Sequence, residues 1–316
     1  MVTAVRVAFF GTPQFAVPSL EALLGSRHAV CGVVTQPDRP RGRGQHVTDG
    51  PVKTLAASWH LPLLQPATLK DPAVEATLRA WAPDLGVVVA YGQLVPDSLL
   101  ALPRLGLINV HPSLLPKYRG AAPVHRAVIA GETVTGVSIM RVGPRLDAGA
   151  VFAVATRVIG LDETSDAIET DLSLTGARLL IEVADALADG TATETAQDEA
   201  LATYARKLTK AEGVLDWTQT ARTLHDRIRG LHPWPHASTY LDGVRLIVLE
   251  SAPADDAHTA PPGTIVRADR ETLQIAAGGQ TTLALLRVQL EGGRPMTIRE
   301  FMAGHAPRIG QRFSSP

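Results

Sequence analysis

The sequence predicts a doubly wound α/β domain with a mostly parallel, Rossmann-like sheet, followed by a small OB-like β-barrel domain. Two apolar runs, at 85–90 and 105–110, show no alternation of polar and apolar residues. Strands of this kind are buried on both faces, as in parallel sheets that helices cover. The last third of the chain instead contains short strands in close succession, which is typical of a small barrel.

The first domain is predicted from strands that alternate with helices. Residues 5–10 form an apolar strand, and apolar residues spaced on one helical face from Val17 to Leu24 predict the helix after it. The other predicted strands are 28–35, 85–90, 105–110, 134–142 and 151–159, and the other predicted helices are 51–59, 72–81 and about 164–188.

The second domain is predicted from turn and cap signals. Asp242-Gly243 between two short apolar runs predicts a hairpin, and Thr297 with Glu300 forms a capping-box pattern that predicts a helix start. Residues 189–203 are small and polar, as in a linker. We therefore predict a first domain at 1–189, a linker at 190–206 and a C-terminal domain at 207–316.

Size and composition fit a globular protein of two domains. The 316 residues are 45% hydrophobic and 19% charged, which excludes a disordered chain. Residues 205–316 carry 14 Lys/Arg against 11 Asp/Glu, and residues 1–204 carry 16 against 20. A mildly basic second domain is compatible with a polyanionic partner, although so small an excess decides little.

The single cysteine and the absence of a long apolar run bear on where the protein works. Cys31 excludes an intramolecular disulfide, and its apolar neighbours favour a small buried hydrophobe. The first ten residues are too short for a signal peptide, and no later run approaches about 18 apolar residues. We expect a cytoplasmic monomer.

Polar residues follow the apolar run at 105–108 directly. Asn109 and His111 stand at the carboxyl end of this predicted strand, and Asp147 follows 36 positions after His111, in Leu-Asp-Ala-Gly. Open parallel sheets bind ligands at this edge. A carboxamide, an imidazole and a carboxylate that converge there supply an oxyanion stabiliser, a proton-transfer group and its orienting partner. The set predicts an enzyme of direct acyl transfer that needs no serine or cysteine nucleophile.

Each of these residues alone has a simpler interpretation. A histidine at a strand end is more often a surface or core residue, and Asp-x-Gly more often begins a turn. The prediction therefore depends on their combination with the proline-rich loop 113–123, which can form a rigid wall for a flat apolar ligand. Gly11-Thr12-Pro13 is not a dinucleotide fingerprint, and no spacing suggests metal ligands. We expect neither a nicotinamide nucleotide nor a metal.

On these motifs the chain resembles the methionyl-tRNA formyltransferases, within the wider family that uses 10-formyltetrahydrofolate. The resemblance covers nearly the whole length and includes the highly specific Asn-x-His and Asp set. The matching motifs are 10–16, 36–44, 51–53, 88–92, 109–123, 136–140, 146–149, 204–208, 216–217 and 233–235.

The resemblance implies that a formyl group passes from the co-substrate 10-formyltetrahydrofolate to the α-amino group of methionyl initiator tRNA, for translation initiation. It makes the first domain catalytic and the second tRNA-binding. Asn109 would stabilise the oxyanion, and His111 would move a proton from the amine towards N10 of the folate. Asp147 would orient His111 and hold the balance of ionised groups in the site. The residues expected to line the folate pocket are Ser113, Leu114, Leu115, Pro116, Val89, Tyr91 and Gly92.

A polar loop between Thr35 and Pro51 carries three arginines among glycines. A solvated, mobile loop is the simpler interpretation, but guanidinium groups suit phosphates and base edges. The loop resembles the one that the family places near the acceptor-stem end of the initiator tRNA; Arg43 matches it, whereas Arg41 and 45–46 depart from it. The residues expected to contact tRNA are Arg39, Arg41, Arg43 and Lys207.

Two rival functions stay open. The same chemistry with another acceptor, such as a nucleotide-linked aminosugar, or hydrolysis to formate would keep the three site residues, although the arginine-rich loop favours tRNA. A non-catalytic RNA-binding module would not need Asn109, His111 and Asp147, so their presence speaks against it.

Overall fold

The computed structural model describes residues 3–38, 40–41, 46–254 and 256–314, with the backbone alone at 40, 41, 46 and 47. The strands in these parts of the chain are β1 (Arg6–Gly11), β2 (Ala29–Val34), β3 (Pro40–Arg41), β4 (His46–Val47), β5 (Leu63–Leu64), β6 (Leu85–Val89), β7 (Leu107–His111), β8 (Arg119–Gly120), β9 (Val134–Arg141), β10 (Val151–Val158), β11 (Tyr204–Ala205), β12 (Ala237–Leu241), β13 (Val244–Ala254), β14 (Ile265–Ala268), β15 (Leu273–Ala276), β16 (Thr282–Leu290) and β17 (Pro295–Thr297). The helices are α1 (Val17–Leu24), α2 (Pro51–Ser58), α3 (Pro72–Trp81), α4 (Asp97–Leu100), α5 (Pro123–Ile129), α6 (Ser165–Asp189), α7 (Ala221–Gly230) and α8 (Ile298–His305).

The chain forms two compact units that interleave along the sequence. The first unit comprises Met1–Gly120, Thr135–Arg157 and Glu169–Ala205. The second comprises Ala121–Val134, Val158–Ile168 and Arg206–Pro316. No helix in the described parts of the chain is long and apolar enough to cross a membrane.

The first unit is built on a seven-stranded sheet with the order β10-β9-β7-β6-β1-β2-β5. Strands β1, β2, β5, β6 and β7 pair in parallel, whereas β9 runs antiparallel to β7. Every residue of β6 is buried, as its unbroken apolar sequence predicts. The predicted mostly parallel, Rossmann-like sheet is therefore confirmed.

Helix α3 shows how local sequence sets these elements. Asp71 caps the helix by accepting a hydrogen bond from the Ala73 amide, and Pro72 occupies the first turn, where it displaces no hydrogen bond. The buried face, Val74 and Leu78, packs in one core cluster with Phe10 of β1. These apolar contacts hold α3 against the sheet.

The second unit contains a sheet with the order β12-β13-β16-β15-β14, and β17 pairs with β16. Leu241 pairs with Val244, and the φ angles of +50° at Asp242 and +80° at Gly243 are those of a tight hairpin turn, as predicted. Helix α7 packs its Leu224 and Ile228 into the core cluster of this sheet. A C-terminal β-sheet domain is thus confirmed.

Both edge strands of this second sheet bind the same C-terminal segment. Thr264 forms a bridge with Arg312 beside β14, and Tyr240 of β12 forms one with Ser314. The amide and carbonyl groups of Tyr240 and Ser314 exchange hydrogen bonds of 3.0 and 2.9 Å. Backbone groups at both edges therefore find partners inside the unit.

Candidate active site

Asn109 and His111 lie two residues apart on β7, which ends at His111. Because side chains alternate along a strand, both project from the same face of the sheet. Asn109 pairs with Val88 of β6 on one side and with Met140 of β9 on the other. Asn109 is half-buried, and His111 is only 4% exposed. The strand therefore presents two polar groups at its carboxyl end, as the sequence predicts.

Asp147 reaches the end of β7 from the turn that follows β9. Its backbone has a φ of +48°, in the left-handed region that non-glycine residues seldom adopt. At Gly149 the turn approaches β9 so closely that a Cβ atom would stand 1.8 Å from the Arg141 carbonyl oxygen. Only glycine fits there, which explains the Leu-Asp-Ala-Gly pattern. The Asp147 Oδ2 atom lies 3.7 Å from Nδ1 of His111.

The loop after β7 completes the surroundings of both side chains. Nε2 of His111 lies 3.0 Å from the Tyr118 carbonyl oxygen, and the Gly120 amide donates a 2.8 Å hydrogen bond to Oδ2 of Asp147. Since a carbonyl can only accept, Nε2 carries a hydrogen, and Nδ1 is the nitrogen that faces the carboxylate. The sequence does not indicate the contact with Tyr118, because residue type does not identify a backbone carbonyl as a partner.

Residues 113–116 form a tightly bonded turn. Ser113 is buried, and its hydroxyl donates to the Lys117 carbonyl oxygen at 2.7 Å. Ser138 of β9 donates to the Ser113 carbonyl oxygen at 2.7 Å and accepts from the Leu115 amide at 3.2 Å. The Leu115–Pro116 peptide is cis. The Ser113 hydroxyl is thus bonded within the loop, while residues 114–116 are half-buried.

A cavity of about 290 Å³ opens beyond the carboxyl ends of β1, β2 and β6. Strand order reverses between β1 and β6, and such switch points are where open α/β sheets bind ligands. Of the residues predicted for the folate pocket, Tyr91 and Gly92 line this cavity, whereas Val89 is fully buried in β6. The complete lining is Thr12, Thr35, Gln36, Pro37, Asp38, Thr48, Gly50, Lys53, Tyr91 and Gly92.

Ionisable side chains at this cavity have shifted pKa values, caused by an ion pair or by burial. Lys53 lies 2.5 Å from Asp38 and 2.7 Å from Asp49, and the hydrogen bond from Lys53 lowers the pKa of Asp38. Burial raises the pKa of Tyr91 to about 12, and its hydroxyl finds no hydrogen-bond partner among the described atoms. No cluster of three His, Cys, Asp or Glu side chains suited to a metal ion occurs in the described parts of the chain.

The residues predicted to contact tRNA are only partly described. Arg39 and Arg43 lie outside the described residues. Arg41 is described in its backbone alone, which pairs with that of His46. Lys207 is exposed at the start of the longest segment of the second unit.

Two sequence profiles match the chain over most of its length. The profile described as Formyl transferase matches residues 5–184, and the one described as Formyl transferase, C-terminal domain, matches residues 207–306. The chain belongs to the formyl transferase family. The methionyl-tRNA formyltransferase of Methylococcus capsulatus is 46% identical over 301 residues, which cover 95% of this chain and 97% of that protein. That of Pseudomonas syringae is 44% identical, covering 95% of both.

Solved structures share the fold at low identity. The sugar 3N-formyl transferase WlaRD, determined with dTDP and 5-N-formyl-THF, superposes with a TM-score of 0.68 at 13% identity, covering 89% of this chain and 97% of WlaRD. An N-formyltransferase from Helicobacter canadensis, in complex with folinic acid and dTDP-3-aminofucose, gives 0.67 at 15% identity, covering 90% and 99%. The fold therefore occurs in proteins that bind formylated folates.

Proposed function

We propose that the protein transfers the formyl group of 10-formyltetrahydrofolate to the α-amino group of methionyl initiator tRNA, which yields N-formylmethionyl-tRNA. The observation that carries the proposal is the 3.7 Å approach of Asp147 to His111 on the strand that also bears Asn109. It occurs in a chain 41–46% identical, over nearly its full length, to relatives named methionyl-tRNA formyltransferase.

The proposed reaction is a direct attack by the unprotonated amine on the formyl carbon. A bond forms between the amine nitrogen and this carbon, and the carbonyl electron pair moves onto the formyl oxygen. The Asn109 carboxamide donates a hydrogen bond to that oxyanion, where such donors act most strongly. The intermediate then collapses: the bond from carbon to N10 breaks, and N10 receives the proton that the amine gives up.

His111 carries this proton in the proposed mechanism. Its Nε2–H donates to the Tyr118 carbonyl oxygen, so in the neutral ring Nδ1 is the free base. The Asp147 carboxylate near Nδ1 stabilises the imidazolium that forms when Nδ1 takes the amine proton. Asp147 thus acts mainly through its charge, because the ring is already oriented by the Tyr118 carbonyl.

We assign the folate to the loop 113–116 together with Val89, Tyr91 and Gly92. The cavity lined by Tyr91 and Gly92 supports the part of this assignment that concerns these two residues, since it lies at the switch point of the sheet. Its volume of about 290 Å³ is near the lower end for small-molecule sites, so it suits the fused ring rather than a whole folate.

We assign tRNA binding to Arg39, Arg41, Arg43 and Lys207, and to the domain at 207–316 that follows the catalytic domain (1–189) and the linker (190–206). We further propose that the C-terminal sheet is an OB-like barrel, which the hydrogen bonds of residues 310–314 to both edge strands support. A cytoplasmic monomer fits this role in translation initiation.

Transfer of a labelled formyl group tests the proposal. The purified protein is incubated with labelled 10-formyltetrahydrofolate and, in separate reactions, with charged initiator tRNA, charged elongator methionyl-tRNA, uncharged initiator tRNA and a dTDP-linked aminosugar. We expect label on the charged initiator tRNA alone, and none with the His111→Asn variant. Label on the aminosugar, or release of labelled formate with every acceptor, would contradict the proposed substrate.

A further inference from the structure

We infer that Gln197 is a positioning residue that holds the Asp147 turn, although it lies in the polar segment after α6. This inference rests on the proposed role of Asp147. The Gln197 side chain donates from Nε2 to two carbonyl oxygens, that of Asp147 at 2.9 Å and that of Gly149 at 2.7 Å. The two carbonyl groups belong to the residues on either side of Ala148, so one side chain bonds both ends of the turn.

A buried arginine fixes which way the Gln197 amide points. Arg119 is 1% exposed, and its Nε and Nη2 atoms lie 3.0 and 2.8 Å from Oε1 of Gln197. Arg119 also forms an ion pair of 3.1 Å with Glu199. Because a guanidinium group only donates, Oε1 must face Arg119 and the amide hydrogens must face the two carbonyl oxygens. The orientation of Gln197 follows from this network.

The same network holds the carboxylate of Asp147. The residue after Arg119 is Gly120, whose amide donates to Oδ2 of Asp147 at 2.8 Å. Gly120 is itself held by the pairing of β8 with β11, in which it stands opposite Ala205. Asp147 has a left-handed backbone, which residues other than glycine seldom adopt and which the surrounding structure must stabilise. Gln197 bonds the backbone carbonyl of Asp147, and Gly120 bonds its carboxylate.

The test compares Gln197→Glu with the wild type. This substitution keeps an oxygen for Arg119 but turns a second oxygen, instead of a donor, towards the Asp147 and Gly149 carbonyls. Since small displacements of catalytic groups cost up to about 10²-fold in rate, we expect kcat to fall about 10- to 100-fold. The KM values for both substrates should stay within about twofold of the wild type.

A double variant separates positioning from a general structural role. If Gln197 acts through Asp147, then Gln197→Glu should slow the enzyme no further once Asp147→Asn is present. Multiplied losses in the double variant, or a single variant with kcat within twofold of the wild type, would overturn the inference. Gln289→Glu is the matched control: Gln289 donates to the Gly293 carbonyl at 2.8 Å in the second unit, and its loss should leave kcat unchanged.

Hydrogen exchange at Gly120 tests the network without any activity measurement. Displacement of Asp147 frees the Gly120 amide, so its exchange should accelerate in Gln197→Glu and stay unchanged in Gln289→Glu. Equal exchange at Gly120 in the wild type and Gln197→Glu would refute the positioning role. A wild type that transfers no formyl group would instead refute the proposed function, whatever the exchange result.

Discussion

Among single residues, Asn109 offers the clearest separation of chemistry from folding. It is half-buried on β7, and its backbone lies between β6 and β9, so the strand pairing does not depend on the carboxamide. Its proposed task, donation to the developing oxyanion, arises only during the reaction.

Asn109→Ala should therefore lower kcat about 10²- to 10³-fold, the usual loss when one oxyanion donor is removed. Its free energy of unfolding should change by no more than about 1 kcal/mol, because no buried apolar group is lost. Formyl transfer at saturating substrates and denaturant unfolding measure the two effects. A kcat of this variant close to the wild type would remove Asn109 from the mechanism. A large loss of stability would instead show that Asn109 has a structural role.

The sequence indicated the side chains of the site better than it indicated what holds them. Asn109 and His111 stand at the end of an apolar run, and their combination with Asp147 in Leu-Asp-Ala-Gly makes the three residues candidates. The Tyr118 carbonyl and the Gly120 amide carry no such signal, because every residue has these backbone groups. Gln197 lies in a stretch whose small polar residues predict a linker. Its role becomes visible only through the distances to Asp147 and Gly149.

At the scale of elements, the sequence predicts β6 but does not predict α7. The unbroken apolar sequence of β6 predicts its burial correctly. Helix α7 was not predicted, because Arg222, Asp226 and Arg229 make its sequence polar although most of the helix is buried. Asp226 and Arg229 lie 2.7 Å apart and neutralise each other inside the unit. In a hydrophobicity pattern, the two charged residues of a buried ion pair cannot be told from surface residues. Only the fold shows that they are paired.

The turn at residues 209–213 gives a prediction about acid stability. Glu212 closes a capping box with Thr209 and forms an ion pair with Arg126 of α5. The hydrogen bond from Arg126 is the main cause that lowers the pKa of Glu212 from 4.5 to about 2. The stability that this carboxylate contributes is therefore present above pH 4.5 and is lost as the pH falls towards 2.

Glu212→Gln should lower the free energy of unfolding of the second unit at pH 7 by about 1.5–3 kcal/mol, the usual worth of a charged hydrogen bond. The difference from the wild type should shrink as the pH falls from about 5 to 2. Denaturant unfolding at several pH values, followed by tryptophan fluorescence, measures it. The exposed Glu271→Gln is the control and should show little difference at any pH. A deficit in Glu212→Gln that stays constant from pH 7 to pH 2 would contradict the assignment.

At the scale of the whole molecule, a net charge of -1 must be reconciled with a polyanionic substrate. Overall charge cannot attract tRNA, so binding has to come from local groups of cations. Many arginines of the second unit are already neutralised by acids, as Arg245 is by Glu291 and Arg294 by Glu300. The arginine loop and Lys207 are the groups to which we assign the phosphate contacts.

If these cations bind phosphates of the tRNA, the reaction should depend on salt concentration through the binding of tRNA. The logarithm of kcat/KM for charged tRNA should fall linearly with the logarithm of salt concentration, because each phosphate contact releases counterions. Lys207→Ala should reduce the magnitude of that slope by about 1, and Arg43→Ala should raise KM for tRNA while the KM for folate stays nearly unchanged. The exposed Lys70→Ala, in the first unit, serves as the control and should keep the wild-type slope. If Lys207→Ala and Lys70→Ala give the same slope as the wild type, then Lys207 makes no phosphate contact, and tRNA binding must use other cations of the chain.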